Sequence, residues 1–128
     1  MESYEPVVSG GNIRIANEVV GTIAGLAATE VNGVAGMSGG VVDGLAELVK
    51  KKNLAKGVKV EVGERQAAVD LYVILDYGAK VPEVAFKIQE NVKRAIESMT
   101  GLEVVEVNVH IQGVEFKAEE TAEDKRVR

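Results

Sequence analysis

The stretch "VDLYVILDYGAKVPEVAFKIQENVKRAIESMTGLEVVEVNVHI" (69–111) carries two changes of hydrophobic period. Val69, Leu71, Val73 and Leu75 alternate with other residues, the period-two pattern of a strand with one buried face. "YGAK" (77–80) breaks that run. Val81, Val84, Ala85, Ile88, Val92, Ala95, Ile96 and Met99 then form one stripe at helical spacing, with Pro82 near its start and Gly101 just past its end. From 103 to 115 the alternation returns. Val105, Val107, Val109 and Ile111 are expected on one face, and Glu106, Asn108, His110 and Gln112 on the other. Strand, long helix and strand form a crossover, right-handed if the two strands run parallel.

Upstream, Val58, Val60 and Val62 alternate with Lys59 and Glu61, and "GERQ" (63–66) joins this run to the next, so a hairpin is expected. Residues 16–31 read as a helix with Val19, Ile23, Leu26 and Ala27 on its apolar face. "NGVAGMSGG" (32–40) reads as turn, and 41–51 as a second helix with Val41, Leu45, Leu48 and Val49 inward. "NIRI" (12–15) is a short candidate strand. The order is therefore (β)ααββαβ. Each main strand has one polar face, which places the helices on one side of the sheet. The fold class is α+β, a two-layer sandwich with helices on one face of a small mixed sheet. Residues 1–11 are expected as a flexible arm, 12–116 as a single domain, and 117–128, "KAEETAEDKRVR", as a disordered charged tail.

Composition narrows the function. The 128 residues include no cysteine, one histidine and no tryptophan, and the net charge is −5. That rules out disulfides and thiolate metal sites and fits a reducing compartment. The acidic balance argues against nucleic acid as a partner. The one basic cluster, Lys50, Lys51, Lys52 and Lys56, sits where a helix is expected to end. The amino terminus lacks the basic and apolar regions of a signal peptide, and no apolar run approaches the length of a membrane span, so direct membrane insertion is not expected.

Gly36-Met37-Ser38-Gly39-Gly40 is a G-x-S-x-G, and His110 follows it in the chain order of a serine hydrolase. A nucleophile elbow needs a buried strand before the serine, however, and here the preceding element reads as helix. Ser38 and its glycines are better explained as a cap on the second helix. A phosphate cradle there is disfavoured by Asp43. A metal site at His110 has little to draw on. Along a strand, Glu106 is about 13 Å from it and Asp70 is about 20 Å from Asp76. Only a cross-strand arrangement of carboxylates would serve, so His110 reads as a solvated histidine on an open sheet face. No catalytic, cofactor-binding or metal-binding residue is assigned.

Contact surfaces are the stronger reading. Phe86 lies about 140° from the centre of its helix stripe, among Glu83, Glu90, Lys93 and Glu97. Either its ring folds back over the helix edge, or Phe86, with Glu90 and Lys93, meets another subunit or a partner. Gly21, Gly25 and Ala28 line one face of the first helix. They permit close approach of the second helix or of another subunit.

The sequence also resembles the alkaline shock protein family of Gram-positive bacteria, small proteins of the envelope stress response. The matching stretches are "IRIANEVVGTIAGLAATEVNGVAGM" (13–37), "KGVKVEV" (56–62) and "VDLYVILDYGAKVPEVAFKIQENVKRAIESMTGLEVVEVNVHIQGVEF" (69–116). Tyr77-Gly78, the Pro82-Glu83-Val84 helix start, Ile88-Gln89, Met99-Thr100-Gly101 and Val107-Asn108-Val109 carry it. The resemblance implies a non-enzymatic cytoplasmic protein of cell-envelope homeostasis that self-associates. Some relatives are held at the inner face of the membrane by a separate anchor protein. Other branches imply an alternative, a soluble regulator that binds enzymes of fatty-acid synthesis. A small serine hydrolase is the weakest reading.

Overall fold

The computed structural model describes residues 11–38 and 56–116. Its elements are α1 (Asn17–Thr29), β1 (Val34–Met37), β2 (Val58–Val62), β3 (Gln66–Asp76), α2 (Val81–Thr100) and β4 (Glu103–Glu115). They form a four-stranded mixed sheet with both helices on one face, the expected α+β sandwich. The helix expected at 41–51, residues 1–10 of the arm expected at 1–11, and the tail at 117–128 lie outside the described residues.

β3 is the axis of the sheet. On one side it pairs in parallel with β4 along its whole length, from Gln66 opposite Glu103 to Asp76 opposite Glu115. On the other side two short strands share its length. β2 runs antiparallel to the first half, with Val62 opposite Ala67 and Val58 opposite Leu71. β1 runs antiparallel to the second half, with Met37 opposite Val73 and Val34 opposite Leu75. The junction falls at Tyr72. Its carbonyl accepts the Ser38 N–H at 2.8 Å and its N–H donates to the Gly57 carbonyl at 2.9 Å. Ser38 and Gly57 thus meet β3 at the same residue.

The alternation of β3 becomes the core. Ala67, Val69, Leu71, Val73 and Leu75 are each at most 2% exposed. Val84, Ile88, Val92 and Ile96 of α2 lie on them at i, i+4 spacing, all buried. Each such side chain contributes about 1.5–3 kcal/mol on leaving water. Pro82 starts α2 without sacrificing a helical N–H, and Gly101 ends it in the left-handed region at φ 80°, its N–H on the Glu97 carbonyl.

Five local expectations are corrected. No strand forms over 12–15, where Ile13 is 78% exposed and no strand lies alongside among the described residues. The glycine-rich stretch 32–40 contains β1 inside its turns. A four-residue strand has no local period to read, and it is held by distant β3. The buried face of α1 is turned by about one residue from the expected stripe. Val20, Ile23, Ala24, Ala27 and Ala28 are inward, while Val19 and Leu26 are each 47% exposed. Small residues let α1 approach α2 closely, and the larger ones stay at the rim. In β4 an irregularity skips from Val104 to Glu106, so Val104 is the buried residue and Val105 is exposed. Likewise Val81 and Met99, at the two ends of the α2 stripe, overhang the core and are exposed.

Candidate functional site

On the face of the sheet away from the helices, the parallel register of β3 and β4 brings Asp70 beside Asn108 and Tyr72 beside His110. The antiparallel register of β2 brings Lys59 opposite Asp70. The imidazole of His110 lies flat on the phenol ring of Tyr72, with centroids 4.4 Å apart and planes 10° from parallel. Its Nε2 is 3.1 Å from Asp70 Oδ1. The Lys59 ammonium sits 5.6 Å from the centroid of the Tyr72 ring. The His110 contact holds the Asp70 carboxyl below its ordinary value, with Asn108 and the charge of Lys59 acting in the same direction against partial desolvation. His110 is on the open face as expected, but it is engaged there with partners drawn from a neighbouring strand.

Ser38 does not join this cluster. It flanks β3 on the side opposite β4, two strand spacings or about 10 Å from His110 at the backbone, with Tyr72 on the strand between. A serine–histidine contact of the kind nucleophilic catalysis requires is therefore not assembled. Among the described residues no group of three or more histidine and carboxylate side chains is placed to hold a metal ion.

The helix face is different. Phe86 is 58% exposed, one of five large apolar side chains exposed near the start of α2 and the ends of β3 and β4. The others are Tyr77 (66%), Val81 (41%), Val114 (53%) and Phe116 (63%). Tyr77 and Phe116 stack at 4.5 Å, and the Tyr77 N–H holds the Glu115 carbonyl at 2.9 Å. Glu90 is exposed beside Phe86. Lys93 is half-exposed, and its ammonium is engaged within the chain, 2.8 Å from Glu97 Oε2 and 3.0 Å from the Val104 carbonyl. The structure thus places Phe86 and Glu90 at the surface and gives Lys93 an internal role. Gly21, Gly25 and Ala28 are buried.

The model of the alkaline shock protein 23 family, described by a cell envelope-related function, matches residues 6–116. The chain belongs to the alkaline shock protein 23 family. It is 40% identical over 119 residues to the uncharacterized protein YqhY of Bacillus subtilis, covering 91% of this chain and 88% of that protein. It is 36% identical over 118 residues to a stress response regulator gls24 homolog of Streptococcus pyogenes, covering 91% of this chain and 65% of that one. Among solved structures, a variant of the MamM CTD is 18% identical, with a TM-score of 0.47 over 77% of this chain and 95% of that one. The name of that Streptococcus pyogenes relative is that of a stress response regulator.

For this family member, two groupings escaped the sequence reading. Residues 89, 93 and 97 sit at i, i+4, i+8 on α2, and their polar ends all reach the backbone at the outer edge of β4. Gln89 donates to the Val107 carbonyl (3.0 Å), Lys93 to the Val104 carbonyl, and the Val104 N–H donates to Glu97 (2.9 Å). The spacing was visible, but its target was not. The Tyr72–His110 stack needed the parallel register, which no local pattern encodes.

Proposed function

We propose that this protein works in the cytoplasm in cell-envelope stress and homeostasis, by self-association and by binding partner proteins. We infer further that a separate anchor protein holds it at the inner face of the membrane. The observation that carries this reading is the exposure of large apolar side chains, Val81 and Phe86 on α2 and the stacked pair Tyr77 and Phe116. Exposed aromatics mark protein contacts more often than idle surface. The family's cell envelope-related function supports it, and no helix among the described residues is long and apolar enough to cross a membrane. The separation of Ser38 from His110 across β3 also supports it over a serine hydrolase.

Fractionation of cells expressing the full chain tests the reading. The protein should pellet with membranes, be released by a high-salt wash, and sediment as an assembly after purification. Recovery in the soluble fraction, bound to an enzyme of fatty-acid synthesis, would replace it with a regulator of that enzyme.

A further inference from the structure

Among the described residues, the outer edge of β4 is only half covered. Backbone groups along a strand point alternately to its two sides. The Glu103 N–H goes inward to Arg65, and the Glu115 carbonyl inward to Tyr77. Val104 and Val107 point outward, where Glu97, Lys93 and Gln89 meet them. Counting on between the two irregularities of the strand, Val109 and Ile111 also point outward. Among the described residues only β3 pairs with β4, and no α2 side chain reaches Val109 or Ile111. Unpaired edge groups of this kind are templates for another strand.

Phe86 lies beside this opening. It is seven residues before Lys93, nearly the same angle around the helix, so it points to the same edge. Gln89 at Val107 and Lys93 at Val104 show α2 running opposite to β4. Three residues before Gln89 is about 4.5 Å further along the helix, which brings Phe86 alongside Val109. The exposed aromatic and the open backbone therefore occupy the same place.

We propose that a second copy of this chain docks here, its β4 antiparallel to the first across a two-fold axis at His110, with the two Phe86 rings meeting between the α2 helices. This deepens the reading of self-association given above. The pattern of β4 is self-complementary in that register. Val109 opposes Ile111 of the other copy on the helix side, Asn108 opposes Gln112 on the open side, and no like charges face each other across the centre. The two pairs of Val109 with Ile111 exchange four backbone hydrogen bonds. Phe86 sets the helix separation near the 8–10 Å of ordinary helix packing.

The absence of cysteine makes the register testable. In the full chain, His110→Cys places two thiols opposite each other in a non-hydrogen-bonded pair, where a disulfide is geometrically accessible. Mild oxidation should convert most of this variant to a covalent dimer. Glu61→Cys, on the same sheet face but on β2, should stay monomeric on denaturing gels. Phe86→Glu should weaken self-association at least tenfold in sedimentation, with an unchanged circular dichroism spectrum. Dimers that form in Phe86→Glu as in the parent, or His110→Cys cross-linking no better than Glu61→Cys, would overturn this geometry and leave self-association through another surface standing. A parent protein that is monomeric at high micromolar concentration would overturn both.

Discussion

Tyr72 and His110 stack ring on ring across the β3–β4 pair at 4.4 Å, and the same imidazole faces the Asp70 carboxylate at 3.1 Å. Asp70 is held below its ordinary value, chiefly by His110. A carboxyl with a lowered folded pKa adds stability above its unfolded pKa and loses it as pH falls through the folded value. Asp70→Asn should therefore flatten the acid limb of the stability curve below about pH 4. At neutral pH it should cost less than ~1 kcal/mol, because both partners are over one-third exposed and solvent screens the pair. Urea unfolding midpoints from pH 3 to 7 measure both effects. An acid limb as steep as that of the parent would refute the assignment.

Glu97 should matter more. Its carboxylate accepts from the Lys93 ammonium and from the Val104 N–H, and these contacts lower its pKa in that order of strength. Its side chain is 25% exposed, and one of its contacts fixes the start of β4 to α2. Glu97→Gln keeps the shape but weakens a charge-assisted bond, an expected loss of about 1 kcal/mol at pH 7. The sign is that of Asp70: the difference between parent and variant should vanish as the pH drops below the folded value. A loss at pH 7 that persists undiminished at pH 3 would mean the contact is steric.

Long, strictly periodic elements were legible in the sequence and short or register-dependent ones were not. The limits of α2 follow from Pro82 and Gly101, and the hairpin from the alternation around "GERQ". Val105 was misplaced because the irregularity at the start of β4 adds a residue without altering the local alternation. α1 was turned because the burial of glycine and alanine reflects helix proximity, which hydrophobicity does not rank. The helical angle of Phe86 allows either a ring folded back over the helix edge or an exposed one, and the ring is exposed. The open edge beside it depends on which side of β4 pairs with β3, and that is a property of the whole sheet.

Gly33 and Gly101 both have positive φ, 101° and 80°. Nothing lies within 4 Å of a Cβ built on Gly101, so Gly101→Ala should cost only the backbone penalty, about 1 kcal/mol. A Cβ on Gly33 would lie 2.9 Å from Val84 Cγ2, a buried side chain at the start of α2. Gly33→Ala should therefore cost more than Gly101→Ala, by roughly 1–3 kcal/mol for the overpacking. Thermal unfolding of the two single variants gives the order. Equal losses would show that Val84 yields without cost.

Asn91 ties the two helices together. Its amide donates to the Ala27 carbonyl at 2.7 Å and lies 3.3 Å from Glu30 Oε1. Ala27 is in the last turn of α1, where carbonyls have no helical N–H of their own, and the Val31 N–H goes instead to Ala28. Asn91→Ala leaves that carbonyl without its donor in a part-buried position, a loss of about 1–2 kcal/mol. Asn91→Asp has the same shape but sets a carboxylate against the Ala27 oxygen and Glu30. At pH 7 it should be the less stable of the two. Its folded pKa is then raised above the unfolded value, so its deficit appears as pH rises and closes as pH falls toward 4, where the neutral acid can donate. Denaturant titrations at pH 4 and pH 7 should show Asn91→Asp crossing from comparable to, or better than, Asn91→Ala at the lower pH to worse at the higher. The same order at both values would show that the amide acts by shape and not by donating its proton.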